Sequence, residues 1–324
     1  MFEVSYDGKL GSAALKQVFP KVMEDLLNQD ERVVYLDADL MNSIGMGGFD
    51  KTYPGRAVDM GVQEANMVGV AAGMSAEGKI PYIHSFAPFV SRRVYDQVFL
   101  SVAYAGNNVR IIGSDPGVTA AYNGGTHMPF EDVALYRAIP GAVIFDICDA
   151  VQLEQALRMT KDRYGLTYIR TPRKQMKTVY GENSRFEIGK GCVLADGEDA
   201  VIIASGIMTA EALEASRRLK DIGISAAVID PVTIKPLDEP LIISYAGKTK
   251  AVVTAENANV NGGLGDAVAS VLSVNEPVIL RKVGIQDEFG EVGTEEYLRE
   301  RYRLTPEEIV KQVMEAVGKK RERV

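Results

Sequence analysis

Histidine and cysteine are scarce in this 324-residue chain, which has two of each: His84, His127, Cys148 and Cys192. With so few, neither a metal-ligand spacing nor a disulfide framework can be assembled. A Ser-His-Asp order and a phosphate-cradling glycine loop with its lysine are missing too. Positive charge is in deficit: 36 Lys and Arg against 44 Asp and Glu leave a net charge of −8. That balance argues against nucleic acid or an anionic membrane surface as the main partner. It leaves open a local cationic pocket for a phosphorylated substrate. No stretch is long and apolar enough to span a bilayer. The residues from Met1 to Lys9 lack the basic-then-apolar layout of a signal peptide, so the cytoplasm is the expected compartment. Internal repeats and low-complexity runs are also missing.

What remains is an ordinary globular composition, 46% apolar with 31 glycines, and a length that suits about two domains. Alternating strand and helix patterns run through the first half. Ser12 to Asn28 reads as an amphipathic helix, and Arg32 to Asp39 as a buried strand ending in carboxylates. Ala57 to Met60 is a strand leading into a helix expected to begin near Gly61. Ile80 to Phe86 is a strand, followed by a helix from Phe89 to about Tyr104. Strands at 109–113, 142–145 and 166–170 follow, with a long glycine-rich loop from Ser114 to Pro129. Thr171 to Lys190 has no helical periodicity and is read as the linker. A second alternating series follows it, closing with a helix from Thr305 to Val317 that Gly318 should end and a frayed tail from Lys319. The expected fold class is α/β, as two doubly wound domains over residues 1–180 and 190–324, each a largely parallel sheet covered on both faces.

Chemistry is expected outside the carboxyl ends of such strands. Asp39 and Ser43 follow one strand, Glu64 the next, and Phe86, Phe89 and Arg92 the third. The loop Asn123-Gly-Gly-Thr-His-Met-Pro129 follows the fourth. Taken alone, Glu64 complements the positive end of its helix, worth about 0.3–1 kcal/mol, and each phenylalanine packs in a core. Ala65, Gly69 and Gly73 recur at spacing four and form a small-residue face that admits another backbone. Both histidines, His84 and His127, fall at this mouth, where an imidazole can serve as acid, base or donor.

Three stretches carry a resemblance: Gly61-Val-Gln-Glu-Ala-Asn-Met-Val-Gly-Val-Ala-Ala-Gly73, the run from Ile80 to Val98, and Gly124-Gly-Thr-His-Met-Pro129. They resemble the pyrimidine-binding domain of thiamine-diphosphate enzymes, and of transketolases above all. Ala255 to Gly265 resembles the opening of the transketolase carboxyl-terminal domain, so the similarity covers nearly the whole chain. The family's first domain, with its Gly-Asp-Gly…Asn diphosphate and metal motif, has no counterpart: the only Gly-Asp pair is Gly265-Asp266, with the wrong sequel. The resemblance therefore implies the carboxyl-terminal half of a split transketolase. Its separate amino-terminal subunit would hold the cofactor's diphosphate and Mg2+ or Ca2+, in an α2β2 assembly built on a homodimer core.

The resemblance also implies roles. Glu64 would contact the pyrimidine of thiamine diphosphate and share a proton with it; Phe86 and Phe89 would stack on or line the ring, with Arg92 near it and Asp39 near the thiazolium. His127 would contact the donor ketose, with Asn123 and His84 beside it. Ser43 and Arg173 occupy positions on the phosphate side, with Lys9 and Arg170 as weaker candidates. Two departures count against the usual pentose phosphates. Asn123 stands where the family usually has Asp, and Asp115 stands near the place of a phosphate-contacting His, where a carboxylate repels phosphate. Two alternatives stay open. One is a half of a 2-oxoacid dehydrogenase or deoxyxylulose-phosphate synthase type, and the other a non-catalytic assembly subunit.

Overall fold

The computed structural model describes residues 1–322. Its main sheet has seven strands, in the order Thr233–Lys235, Val143–Asp146, Thr167–Thr171, Arg110–Ser114, Ile80–Phe86, Val33–Asp37, Ala57–Asp59. All neighbours pair in parallel except the first, which is antiparallel and comes from the second half of the chain. The central strands are buried along nearly their whole length, as a sheet covered by helices on both faces requires. The second sheet has five strands, Ile279–Ile285, Ala251–Asn259, Ala200–Ala204, Ala226–Asp230 and Cys192–Ala195, with only the last antiparallel. A two-stranded ribbon, Leu10–Ala14 with Gln175–Lys177, ties the expected linker back to the start of the chain.

Three expectations shift for local reasons. The helix after Ala57–Asp59 begins at Glu64 and runs to Ala76, because Gly61 sits at φ +70 and cannot be helical. The segment after Phe89 is no single α-helix: a 3-10 turn Arg92–Val94 leads to one turn, Tyr95–Gln97, and a π-helical stretch, Val98–Tyr104. Ser91 has a non-helical backbone, and its hydroxyl donates to the Ala87 carbonyl in place of the helix ladder. The terminal helix runs Pro306–Glu322, through Gly318 rather than ending there; Arg323 and Val324 lie outside the described residues. No helix among the described residues is long and apolar enough to cross a membrane.

The two halves are locked together by buried polar groups. Arg170 and Asp132 are both fully buried, joined by Nε to Oδ2 at 2.7 Å and Nη2 to Oδ1 at 3.2 Å. Arg170 Nη1 lies 3.0 Å from Asp146, without hydrogen-bond alignment, and Nη2 donates to the Asn257 carbonyl across the domain boundary at 3.0 Å. Burial works against this charge, but Asp132 and Asp146 outweigh it and hold the guanidinium above its ordinary pKa. Asn257 reaches back, accepting from Val118 N at 3.0 Å and donating to Pro116 O at 2.9 Å. Beside it, Glu256 caps the helix Leu264–Asn275, accepting from the backbone N–H of Leu264 and Gly265 at 2.7 and 2.8 Å.

Burial raises the Glu256 carboxyl from an ordinary 4.5 to about 7, despite those two hydrogen bonds. The folded state then binds the proton more tightly than the unfolded chain. This group's contribution is complete below the unfolded pKa and is lost as pH rises through the folded one. Glu256→Gln should therefore gain stability relative to the parent as pH rises from about 4.5 to about 7, and level off above. Urea midpoints of both proteins across that range check it; a difference that does not change with pH would refute it.

Candidate active site

Every element of the candidate site leaves the carboxyl edge of the seven-stranded sheet, where strand ends and helix starts converge. Glu64, the first residue of its helix, is 4% exposed, and its Oε1 accepts from Arg93 Nη1 at 2.8 Å. The Arg93 guanidinium also lies 4.0 Å from the centroid of Phe89. One flat cationic group is thus held against an aromatic face while donating N–H to a buried carboxylate. Phe86, Phe89 and His127 complete a cluster of rings: Phe86–Phe89 6.2 Å, Phe86–His127 5.9 Å and Phe89–His127 5.0 Å. On the far side, the Arg173 guanidinium lies 4.9 Å over Phe86.

Arg173 is tightly held. Asp115 Oδ2 accepts from its Nε at 2.7 Å and lies 2.5 Å from Nη2, and Oδ1 accepts from its backbone N–H at 3.1 Å. Nη1 donates to the Ser43 hydroxyl and, at 3.3 Å, to the Ser43 carbonyl. The His127 loop is pinned from two directions. Arg92 bridges Glu131 Oε1 at 2.9 Å and the Thr126 carbonyl at 2.7 Å, and Asn257 clamps the start of the turn Gly117–Asn123. A Cβ on Gly117, at φ +56, would fall 2.2 Å from Asn257 Oδ1, so this close approach requires glycine. His127 Nδ1 pairs with Thr126 Oγ1 at 2.9 Å, while among the described residues Nε2 makes no hydrogen bond.

The residues matching "Transketolase, pyrimidine binding domain" are 12–178, and those matching "Transketolase, C-terminal domain" are 189–309. The chain belongs to the transketolase family. It is 49% identical to the 6-deoxy-6-sulfo-D-fructose transketolase subunit SqwH of Clostridium sp. strain MSTE9, over 97% of this chain and 98% of that protein. It is 39% identical to a putative transketolase C-terminal section of Methanocaldococcus jannaschii, over 94% and 96% of the two chains. A solved structure described as a split-gene transketolase, inactive beta4 tetramer, superposes with a TM-score of 0.86 at 38% identity, covering 95% of this chain and 99% of that one. Transketolases are transferases, and the family depends on thiamine diphosphate.

Within this transketolase-family chain, Glu64, Phe86, Phe89, His127, Ser43 and Arg173 converge on one edge. Asp39 and Asn123 are exposed there; the Asp39 backbone, at φ +63, is fixed by N–H donation to Asp59 Oδ1 at 2.9 Å. His84 does not reach the mouth. It is fully buried, held by Asp37 Oδ2 at 2.7 Å and Ser114 Oγ at 3.0 Å, because mid-strand alternation turns it inward. Arg170 is spent on Asp132 and Asp146. Lys9 is a surface residue paired with Asp7. Arg92 braces the His127 loop, and Arg93 instead faces the Phe89 ring. Sequence reasoning missed Arg93, although residues three and four beyond Phe89 both belong to its face.

Arg92→Ala should free the Thr126 carbonyl and loosen the loop. A charge-assisted hydrogen bond is worth about 1.5–3 kcal/mol, so amide exchange at Gly124 and His127 should quicken at least about tenfold. Hydrogen-exchange mass spectrometry of the chain reads this directly, with unchanged exchange as the opposing result.

Proposed function

We propose that this chain carries the pyrimidine end of a thiamine-diphosphate site and the donor-sugar pocket of a ketol-transferring enzyme. The observation that carries the reading is the seat between Glu64 and Phe89. Arg93 fills it with a planar nitrogen group that stacks and donates, the two things an aminopyrimidine does. No group of three or more His, Cys, Asp or Glu among the described residues is placed to hold a metal. We assign the diphosphate and its Mg2+ or Ca2+ to the amino-terminal subunit.

When bound, the cofactor supplies the nucleophilic carbon that accepts the two-carbon ketol unit. Glu64 shares a proton with a ring nitrogen of the pyrimidine, a role a carboxylate can fill and an amide cannot. Phe89, with Phe86 beside it, holds the ring, and Asp39 stands at the rim toward the thiazolium. His127 is held through Nδ1, and its open Nε2 contacts the ketose oxygens, with Asn123 next to it. Arg173 and Ser43 receive the far end of the sugar, an anionic group such as the sulfonate named for the Clostridium relative. An oxidative decarboxylase or a non-catalytic subunit is the weaker reading, because neither accounts for a positioned imidazole together with a distal arginine.

We assign a homodimer core to the bare face of the Glu64–Ala76 helix. Ala65, Gly69 and Gly73 are exposed on it, and a Cβ added at either glycine would meet nothing within 4 Å. Exposed Val62, Leu100 and Tyr104 extend the apolar surface. With amino-terminal subunits added, the assembly is α2β2.

Calorimetry with thiamine diphosphate and Mg2+ tests the shared site. The chain alone should bind neither measurably, and the reconstituted pair should bind with micromolar or tighter affinity. Glu64→Gln in the pair should slow ketol transfer by at least about a hundredfold, in line with loss of acid–base catalysis. Tight binding by the chain alone, or an undiminished Glu64→Gln rate, would overturn the assignment.

A further inference from the structure

We propose that Asp115 selects the charge of the substrate's far end, so that the pocket prefers a ketose ending in a singly charged sulfonate over one ending in a phosphate dianion. This rests on the reading of Arg173 and Ser43 as the distal subsite of a transketolase.

Charge and donor count set this preference. A guanidinium offers five N–H donors in a fixed fork. At Arg173, Asp115 takes Nε and Nη2, and both oxygens of Ser43 take Nη1. Asp115 is itself 4% exposed, and its backbone, at φ +51 just beyond a buried strand, is tied to the Thr171 carbonyl at 3.0 Å. It is poorly screened, and its Oδ1 is held by the Arg173 backbone N–H at 3.1 Å. The pair it forms with Arg173 is electrically neutral.

Among the described residues, the neighbouring arginines and Lys174 are already paired. Arg170 is committed to Asp132 and Asp146, Arg92 to Glu131, Arg93 to Glu64 and Lys174 to Glu295. A phosphate ester carries about −1.5 to −2 charges near neutral pH, and its second charge would meet the Asp115 carboxylate with nothing to offset it. A sulfonate has the same three acceptor oxygens and one charge. It can take over the Nη1 donor that Ser43 now holds and use the Ser43 hydroxyl as a further donor. Repulsion between unit charges a few ångströms apart is enough for a preference of about tenfold or more.

The test uses the reconstituted two-subunit enzyme with thiamine diphosphate and Mg2+, one aldose acceptor, and three donors: fructose 6-phosphate, 6-deoxy-6-sulfofructose and fructose. The parent enzyme should show kcat/KM for the sulfonate at least about tenfold above that for the phosphate, and above that for fructose. Lowering the pH from about 7.5 to about 5.5 protonates the phosphate, whose second pKa is about 6, and should narrow the gap between the two. Asp115→Asn and Asp115→His should each move the ratio toward phosphate by about tenfold.

Preference for phosphate by the parent enzyme, a ratio that does not change with pH, or equal turnover of fructose and the sulfonate overturns the inference. So does an unchanged ratio in a folded Asp115 variant. If both variants fail to fold, the pH series on the parent decides alone. A pair that turns over no ketose overturns the transketolase reading beneath it, and this inference with it; a pair that turns over ketoses but favours phosphate overturns this inference only.

Discussion

A single buried cation organises this molecule. Arg170 sits mid-sheet with no access to water, and two carboxylates from neighbouring elements, Asp132 and Asp146, make its charge tolerable there. Burial of such a charge is costly unless every partner is in place. Its strand, the helix bearing Asp132 and the strand bearing Asp146 are therefore held in one arrangement. The fourth contact, to the Asn257 carbonyl, extends that arrangement into the second domain. Asn257 in turn grips the start of the loop that presents His127, and Arg173 follows Arg170 by three residues. The His127 loop and Arg173 are thus both placed by the same buried network.

That network explains why the carboxyl-terminal domain matters to a site it does not line with Glu64, Phe86, Phe89 or Arg173. Its strand Ala251–Asn259 ends against the pocket loop, with Asn259 N donating to the Phe130 carbonyl at 2.8 Å. Glu256, beside Asn257, anchors the following helix from within the protein. The second domain acts as a buttress. The candidate site stays on the edge of the first sheet.

The first domain was largely legible in sequence because parallel strands buried on both faces read as continuous apolar runs. Ile80–Phe86 has the expected bounds, and most of the other strands lie within a residue or two of theirs at one end or both. What escaped the sequence was set by contacts distant along the chain. Thr233–Lys235 joins the first sheet from within the second half, and Gln175–Lys177 forms a ribbon with Leu10–Ala14. Neither short strand has a periodicity of its own to announce it. The helix start at Glu64 was misjudged by three residues because the positive φ of Gly61 leaves no trace in an apolar pattern.

By itself the sequence determined the family, the alternating α/β architecture and the strand ends at which chemistry would gather. Those follow from local composition, from spacing and from motifs that stand contiguous in the chain. Only the tertiary structure decided which side chains share the site. His84 and Arg170 point inward because the pleat and the buried carboxylates claim them. Arg92 and Arg93 are chemically the same and adjacent in sequence. Glu131 and Thr126 draw one of them to the loop, while Glu64 and the Phe89 ring hold the other between them. Asp115 looked like a plain obstacle to phosphate, and its meaning changed once Arg173 was found in its grip. Carboxylate and carbonyl partners 24 to 58 residues away settle these choices, and no local pattern encodes them.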